Sequence, residues 1–364
     1  MDFSSSRILH TFTHDIEWRK ACAELARKVE QPWVNASRPM IGLERHREAG
    51  AAFIQSLNLQ VGPETLIVTN GGEHAKFIAL ASVANHGDTV LTEALTDREL
   101  IGAATILGIT LKAVEIDEYG IRPEHFEEMC RAQRITALAC TPTLHKPTGS
   151  IMSNDRRRSI ACIAERYSVY LIEDDVHGPL AQPTHTPISS LIPDLSLYMT
   201  AMTECVLTSL RIGFLSVPRR LAPRAESVLR ITSRMAQPAL AEIASEWIFN
   251  GTAARLINIQ RKQLSVRHAI LGGVLGQYLA GINREGLSVW LSVPDYWQVN
   301  RLVAERNKRD IAVTSPNPFS VSGKDVPSNI RVCIGTEAGD DVYRSALETI
   351  AGVFDQYPQL HDFV

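Results

Sequence analysis

No two of the six cysteines (Cys22, Cys130, Cys140, Cys162, Cys205 and Cys333) form a CxxC pair. That scatter argues against a disulfide framework or a zinc site and favours reduced thiols in a cytoplasmic protein. Charge of one sign is also lacking: the formal net charge is -3, which gives no broad basic surface for nucleic acid. No apolar run approaches the roughly 20 residues that span a bilayer. The opening residues, MDFSSSRILHTFTHD, have neither the basic start nor the apolar core of a signal peptide. Internal repeats and low-complexity linkers are missing too. What remains is a chain of 364 residues, 45% apolar, long enough for a sizeable core and two sub-domains.

Within it, short apolar runs alternate with helical periodicity. ETLIVTNG reads as a strand entering a glycine turn, and EHAKFIALASVAN as the helix behind it. DTVLTEA, TLKAVEI, ITALACTP and VYLIEDD read as further strands. DRELIGAATILG and SNDRRRSIACIAERYS read as helices, the second with Ser153 as N-cap. This alternation predicts a mainly parallel α/β sheet with helices on both faces. After about residue 218 long helical stretches take over, followed by LSVWLSV, SNIRVCIG and two more helices, which suggest a smaller α+β unit. Small-molecule sites in such sheets lie at the carboxyl ends of the strands. The turns TNGGEH, CTPTLHKPTG and IEDDVHG all fall there.

The ordered set TNGGEHA, TPTLHKPTGSIMS, LIEDDVHGPL, TSLRIGFLSVP and NIRVCIG resembles the class I/II aminotransferases of fold type I. The nearest likeness is to the aminotransferase-like domain of MocR-type regulators, which GLERHREAGAAFI also fits. The resemblance covers nearly the whole chain. It implies an N-terminal segment (1–45) packing with the small domain, a large domain (46–240) and a small C-terminal domain (241–364). It also implies a homodimer, a small-molecule substrate and pyridoxal phosphate (PLP) or pyridoxamine phosphate (PMP). MocR regulators carry a DNA-binding domain in front. This chain starts where the aminotransferase-like part would start, so no nucleic-acid reader and no membrane contact are expected in these residues.

Matched position by position, the resemblance places Gly71, Gly72, Thr203 and Arg211 around the cofactor phosphate. Asp174 falls against the pyridine nitrogen, and Arg331 on a substrate carboxylate. The departures gather at the ring. Lys146 stands for an asparagine, His177 for a tyrosine, and Asp97 for a stacking aromatic, where it would face the substrate. Glu73 stands beside the phosphate turn, and Glu204 replaces the lysine that forms the imine. A carboxylate cannot form an imine, so transamination through residue 204 is excluded.

Several buried ionisable groups in one cleft imply mutual pairing or use. Three readings stay open. In the leading one, Glu204 works as acid or base with His177 and Lys146 on a carboxylate-bearing substrate, with no covalent cofactor. In the second, the fold is a non-catalytic binding or scaffold unit, with a Lys146–Glu204 ion pair as its simplest structural account. In the third, Lys146 is a relocated imine-forming lysine for PLP. A buried, solvent-connected cleft favours an enzyme; a cleft filled by side chains favours a scaffold. His145, His177, Asp174, Asp175 and Glu204 offer metal-ligating atoms, but no helix-spaced pair supports a metal site, so no metal is expected. NDRRRS reads as a solvated helix face. His10, His14, His46, His74, His86, His125, His185, His268 and His361 read as surface or capping residues.

Overall fold

A computed structural model describes residues 1–27, 40–182, 184–281, 285–307, 310–324, 326–336 and 338–357. His361 lies outside them. In chain order the helices are α1 (Phe12–Arg27), α2 (Glu44–Gln55), α3 (Gly72–Val83), α4 (Arg98–Leu107), α5 (Pro123–Ala132) and α6 (Asn154–Arg166). They continue with α7 (Ala222–Thr232), α8 (Pro238–Phe249), α9 (Thr252–Leu275), α10 (Val299–Asn307) and α11 (Asp340–Phe354). The strands are β1 (Leu66–Thr69), β2 (Thr89–Glu93), β3 (Thr110–Val114), β4 (Ile116–Asp117), β5 (Gly120–Ile121) and β6 (Ala137–Cys140). After them come β7 (Tyr170–Asp174), β8 (Ser196–Ala201), β9 (Gly213–Ser216), β10 (Leu279–Ala280), β11 (Ser288–Ser292) and β12 (Asn329–Cys333).

Seven strands form the central sheet in the order β1-β9-β8-β7-β6-β2-β3. Strands β3, β2, β6, β7 and β8 pair in parallel, and β9 alone runs against both of its neighbours. The period-2 alternation of strand side chains divides the core between two faces. Val90, Ala137, Ala139, Ile172 and Leu197 pack with Ala75, Ile78 and Ala79 of α3 and Leu100 of α4. Their neighbours Leu91, Leu138, Cys140 and Leu171 pack on the other side with Phe126 of α5 and Ile160 and Ile163 of α6. Both faces are thus covered by helices, as the α/β reading expects.

A second sheet, β10-β11-β12, is antiparallel. The N-terminus lies along it: Phe3 N–H donates to Ala312 O at 2.8 Å, and Cys333 N–H donates to Phe3 O at 2.9 Å. Ser153 does cap α6, accepting from Arg156 N–H at 3.3 Å.

Two surface readings fail. Arg157, in NDRRRS, is 2% exposed, because it falls with Ile160, Ala161 and Ala164 on the buried stripe of α6. Of the histidines read as surface or capping residues, His14 does cap the start of α1, accepting from Thr11 N–H at 3.1 Å, whereas His46 and His268 are core residues held by polar partners. His46 Nε2 is 3.3 Å from Glu242, and His268 Nε2 is 2.9 Å from Gly286 O.

Candidate functional site

Parallel strands end at one edge of a sheet, and the loops that follow them share that edge. Here β1 leads to Gly71, β2 to Asp97, β6 to the Thr141–Gly149 turn, β7 to Asp174 and His177, and β8 to Thr203 and Glu204. The fold therefore brings together residues that the sequence separates by more than a hundred positions.

Gly71 has φ of 84°, in the region that favours glycine, and stands at the N-cap of α3. A Cβ there would lie 3.4 Å from Thr203 Oγ1 and 3.9 Å from the Arg211 guanidinium carbon. Gly71, Thr203 and Arg211 thus converge on the N-terminus of a 12-residue helix, an arrangement suited to an oxyanion. Thr203 Oγ1 is buried and has no hydrogen-bond partner among the described residues.

Behind this cup the space is filled with charge. Lys76, one turn into α3, is 3% exposed. Its Nζ bonds Asp97 Oδ2 and lies 3.2 Å from Asp174 Oδ2 and 3.4 Å from Glu73 Oε2. Burial alone would push the Lys76 ammonium down, but Asp97, Asp174 and Glu73 outweigh it and hold its pKa well above the usual lysine range. Asp97 is buried as well, yet Lys76 and Lys146 hold it well below the ordinary carboxylate range. The cavity remaining among Lys76, Asp97, Thr141 and Asp174 is about 10 Å³. That is room for at most one water.

The cluster continues through the turn after β6. Lys146 Nζ lies 3.3 Å from Glu204 and 3.9 Å from Asp97 Oδ2. Glu204 Oε2 also bonds His177 Nε2, while His177 Nδ1 is 3.4 Å from Leu144 O. Burial would raise the Glu204 pKa; Lys146 and His177 pull it far below the normal carboxylate range. Burial opposes the charge on Lys146 too, and Glu204 and Asp97 reverse that effect, so its ammonium is held above the usual value. Two ammonium groups and four carboxylates thus meet in one cluster. The carboxylates of Glu73, Asp97 and Glu99 converge within 4.8 Å, and Lys76 supplies the positive charge beside them.

Arg331 stands on β12, apart from this pairing. Its Nη2 donates to Ser4 O at 2.7 Å and its guanidinium lies 4.8 Å from the centroid of Phe319. Its buried Nε has no partner among the described residues.

Sequence reasoning passed over two residues that build the site. Lys76 lies with Ala79, Leu80 and Val83 on the apolar stripe of α3, so a lysine within a buried helical face was a readable signal. Arg157 supports the Lys146 turn from below. Its Nε donates to Met152 O, and its Nη2 to Pro142 O and Thr143 Oγ1, each at 2.9 Å.

For PLP or PMP the two ends of the site differ. The phosphate end fits, since Gly71, Thr203 and Arg211 leave a buried hydroxyl oxygen unbonded. The ring end does not, since the Lys76 ammonium already holds the Asp174 and Asp97 carboxylates.

A family model described as "Aminotransferase class I and II" matches residues 1–349. Among curated proteins, the HTH-type transcriptional regulator YdeF of Bacillus subtilis (strain 168) is 25% identical over 68% of this chain and 54% of its own length. YjiR, an HTH-type transcriptional regulator of Escherichia coli (strain K12), is 24% identical over 84% of this chain and 66% of its own. The chain thus spans between about half and two thirds of these relatives. Among solved structures, a Pyrococcus horikoshii kynurenine aminotransferase superposes with a TM-score of 0.88 at 18% identity, over 97% of this chain and 90% of that one. An archaeal alanine:glyoxylate aminotransferase gives 0.86 at 20% identity, with the same coverage. At such identities the superpositions bear on the fold alone.

Proposed function

The chain belongs to the class I and II aminotransferase family, and from that premise we propose that it is a non-catalytic, small-anion-binding member that does not run lysine-based transamination. One observation carries this reading. The carboxylate of Glu204, the residue that the family resemblance sets at the imine-forming position, is held between Lys146 and His177. A group that moves protons needs a pKa near the working pH. Glu204 is drawn far below that range by its two partners and stays an anion. The cluster's charges are spent on one another, so it reads as structure. The ligand supported is a phosphate or carboxylate in the cup of Gly71, Thr203 and Arg211. The partner proposed is a second copy of the chain, the assembly its family resemblance implies.

An imine formed through Lys146 is disfavoured, because a nucleophilic amine must be neutral and this one is held protonated. Acid–base catalysis keeps one supporting observation: the Glu204 side chain is 23% exposed while bonded to His177, so solvent reaches a carboxylate–imidazole pair. Turnover of any small carboxylate that Glu204→Gln abolishes would select that reading.

The test of the proposal is an absorbance titration with PLP, followed by borohydride reduction and peptide mapping. The expected result is no imine band and no labelled lysine. A band together with a phosphopyridoxyl adduct on any lysine of the chain overturns the proposal.

A further inference from the structure

The disagreement between the retained phosphate cup and the filled ring seat has a single residue at its centre. Lys76 projects from the first turns of α3, whose N-terminus forms the cup, and its Nζ is 3.2 Å from Asp174 Oδ2. Its side chain is 3% exposed and its ammonium also meets Asp97 and Glu73. The small cavity that it lines is bordered also by Glu93, Asp97 and Asp174 and by the apolar Leu100, Ile172 and Met199. No solvent exchange is needed to keep it charged, because three carboxylates already surround it.

We infer that Lys76 is a built-in occupant of the ring seat: its ammonium takes the Asp174 and Asp97 carboxylates, so the cup holds a phosphate while a pyridine ring attached to that phosphate gains no contact of its own. A ring nitrogen would need Asp174 to release the ammonium, which would then be buried with one partner fewer. Specificity here comes from an unfavourable alternative as much as from a favourable contact.

The inference rests on the non-catalytic reading above, so its probe is PMP, which has no aldehyde and cannot form an imine. The PLP spectrum therefore tests that reading, and PMP binding tests Lys76. In the unmodified protein, inorganic phosphate and PMP are expected to raise Tm equally at equal concentration. A larger shift with PMP shows that the ring finds a seat and overturns the inference. Calorimetric titration of Lys76→Ala should then show PMP binding at least about tenfold tighter than in the unmodified protein, with phosphate affinity unchanged. Lys76→Met/Asp97→Asn removes one charge of each sign, so the balance of the cluster is kept if the single variant fails to fold. A folded variant that binds PMP no better than the unmodified protein also overturns the inference.

Discussion

Lys76 Nζ lies 3.2 Å from Asp174 Oδ2, joining α3 to the carboxyl end of β7 beneath the candidate site. Both side chains are buried, so the contact is barely screened by salt. Removing one partner of such a pair strands the other charge. Lys76→Ala should therefore lower stability by about 3–5 kcal/mol. Urea unfolding in low and high salt checks this. A loss that shrinks strongly at high salt would mean the pair is wetter than its burial indicates.

Glu204 invites a milder loss, because its side chain is 23% exposed. Its pKa is depressed, burial being outweighed by Lys146 and His177. A depressed carboxylate contributes stability that is present above its unfolded value, near 4.3, and lost as pH falls below it. Glu204→Gln should cost about 1–3 kcal/mol at pH 7, and the gap to the unmodified protein should close in acid. Denaturation at pH 7 and pH 3 reads both values.

Glu93 has the opposite sign. It is buried at the end of β2, accepting from Thr141 N–H at 2.8 Å, and burial raises its pKa to about 7. A raised carboxylate binds its proton more tightly in the fold than in the unfolded chain, so stability falls as pH climbs from about 4.3 to 7 and then levels off. Glu93→Gln should remove that slope and leave the variant ahead by about 3 kcal/mol at pH 8 relative to pH 4. Asp175, also raised to about 7 by burial and by Glu173, keeps a residual slope of the same sign. His145, lowered to about 4 by burial, contributes the reverse slope between about 4 and 6.5 in both proteins. Paired thermal melts across pH 4–8 measure the difference.

Arg157 holds three acceptors of the 142–152 turn. Arg157→Met should cost about 3 kcal/mol and loosen the turn that presents Lys146. Hydrogen exchange at the His145 and Gly149 amides, bonded to Ser150 O at 3.0 Å and His145 O at 2.6 Å, reports the loosening. Unchanged protection there would show that the turn stands without the arginine.

Some of this was open to a reader of the chain. VYLIEDD is apolar throughout and then acidic, which marks a buried strand delivering Asp174 to a sheet edge, and β7 ends there. Opposite charges at Lys146 and Glu204 suggested a pair, and the side chains do meet. Lys76 escaped because α3 looked like any amphipathic helix behind a glycine turn. Arg157 and His46 escaped because their types are common on surfaces; the partner of His46 is Glu242, far along the chain, and the acceptors of Arg157 face it only once the turn after β6 folds back over α6.

By itself the sequence determined the alternation of strands and helices, the strand ends that form the site edge, and a carboxylate at position 204, since each depends on residue type and local spacing. Only the tertiary structure decided that Lys76, Asp97 and Asp174 satisfy one another. That outcome depends on three elements, α3, the loop after β2 and the end of β7, meeting at hydrogen-bond distance inside a core where an unpaired charge would not be tolerated.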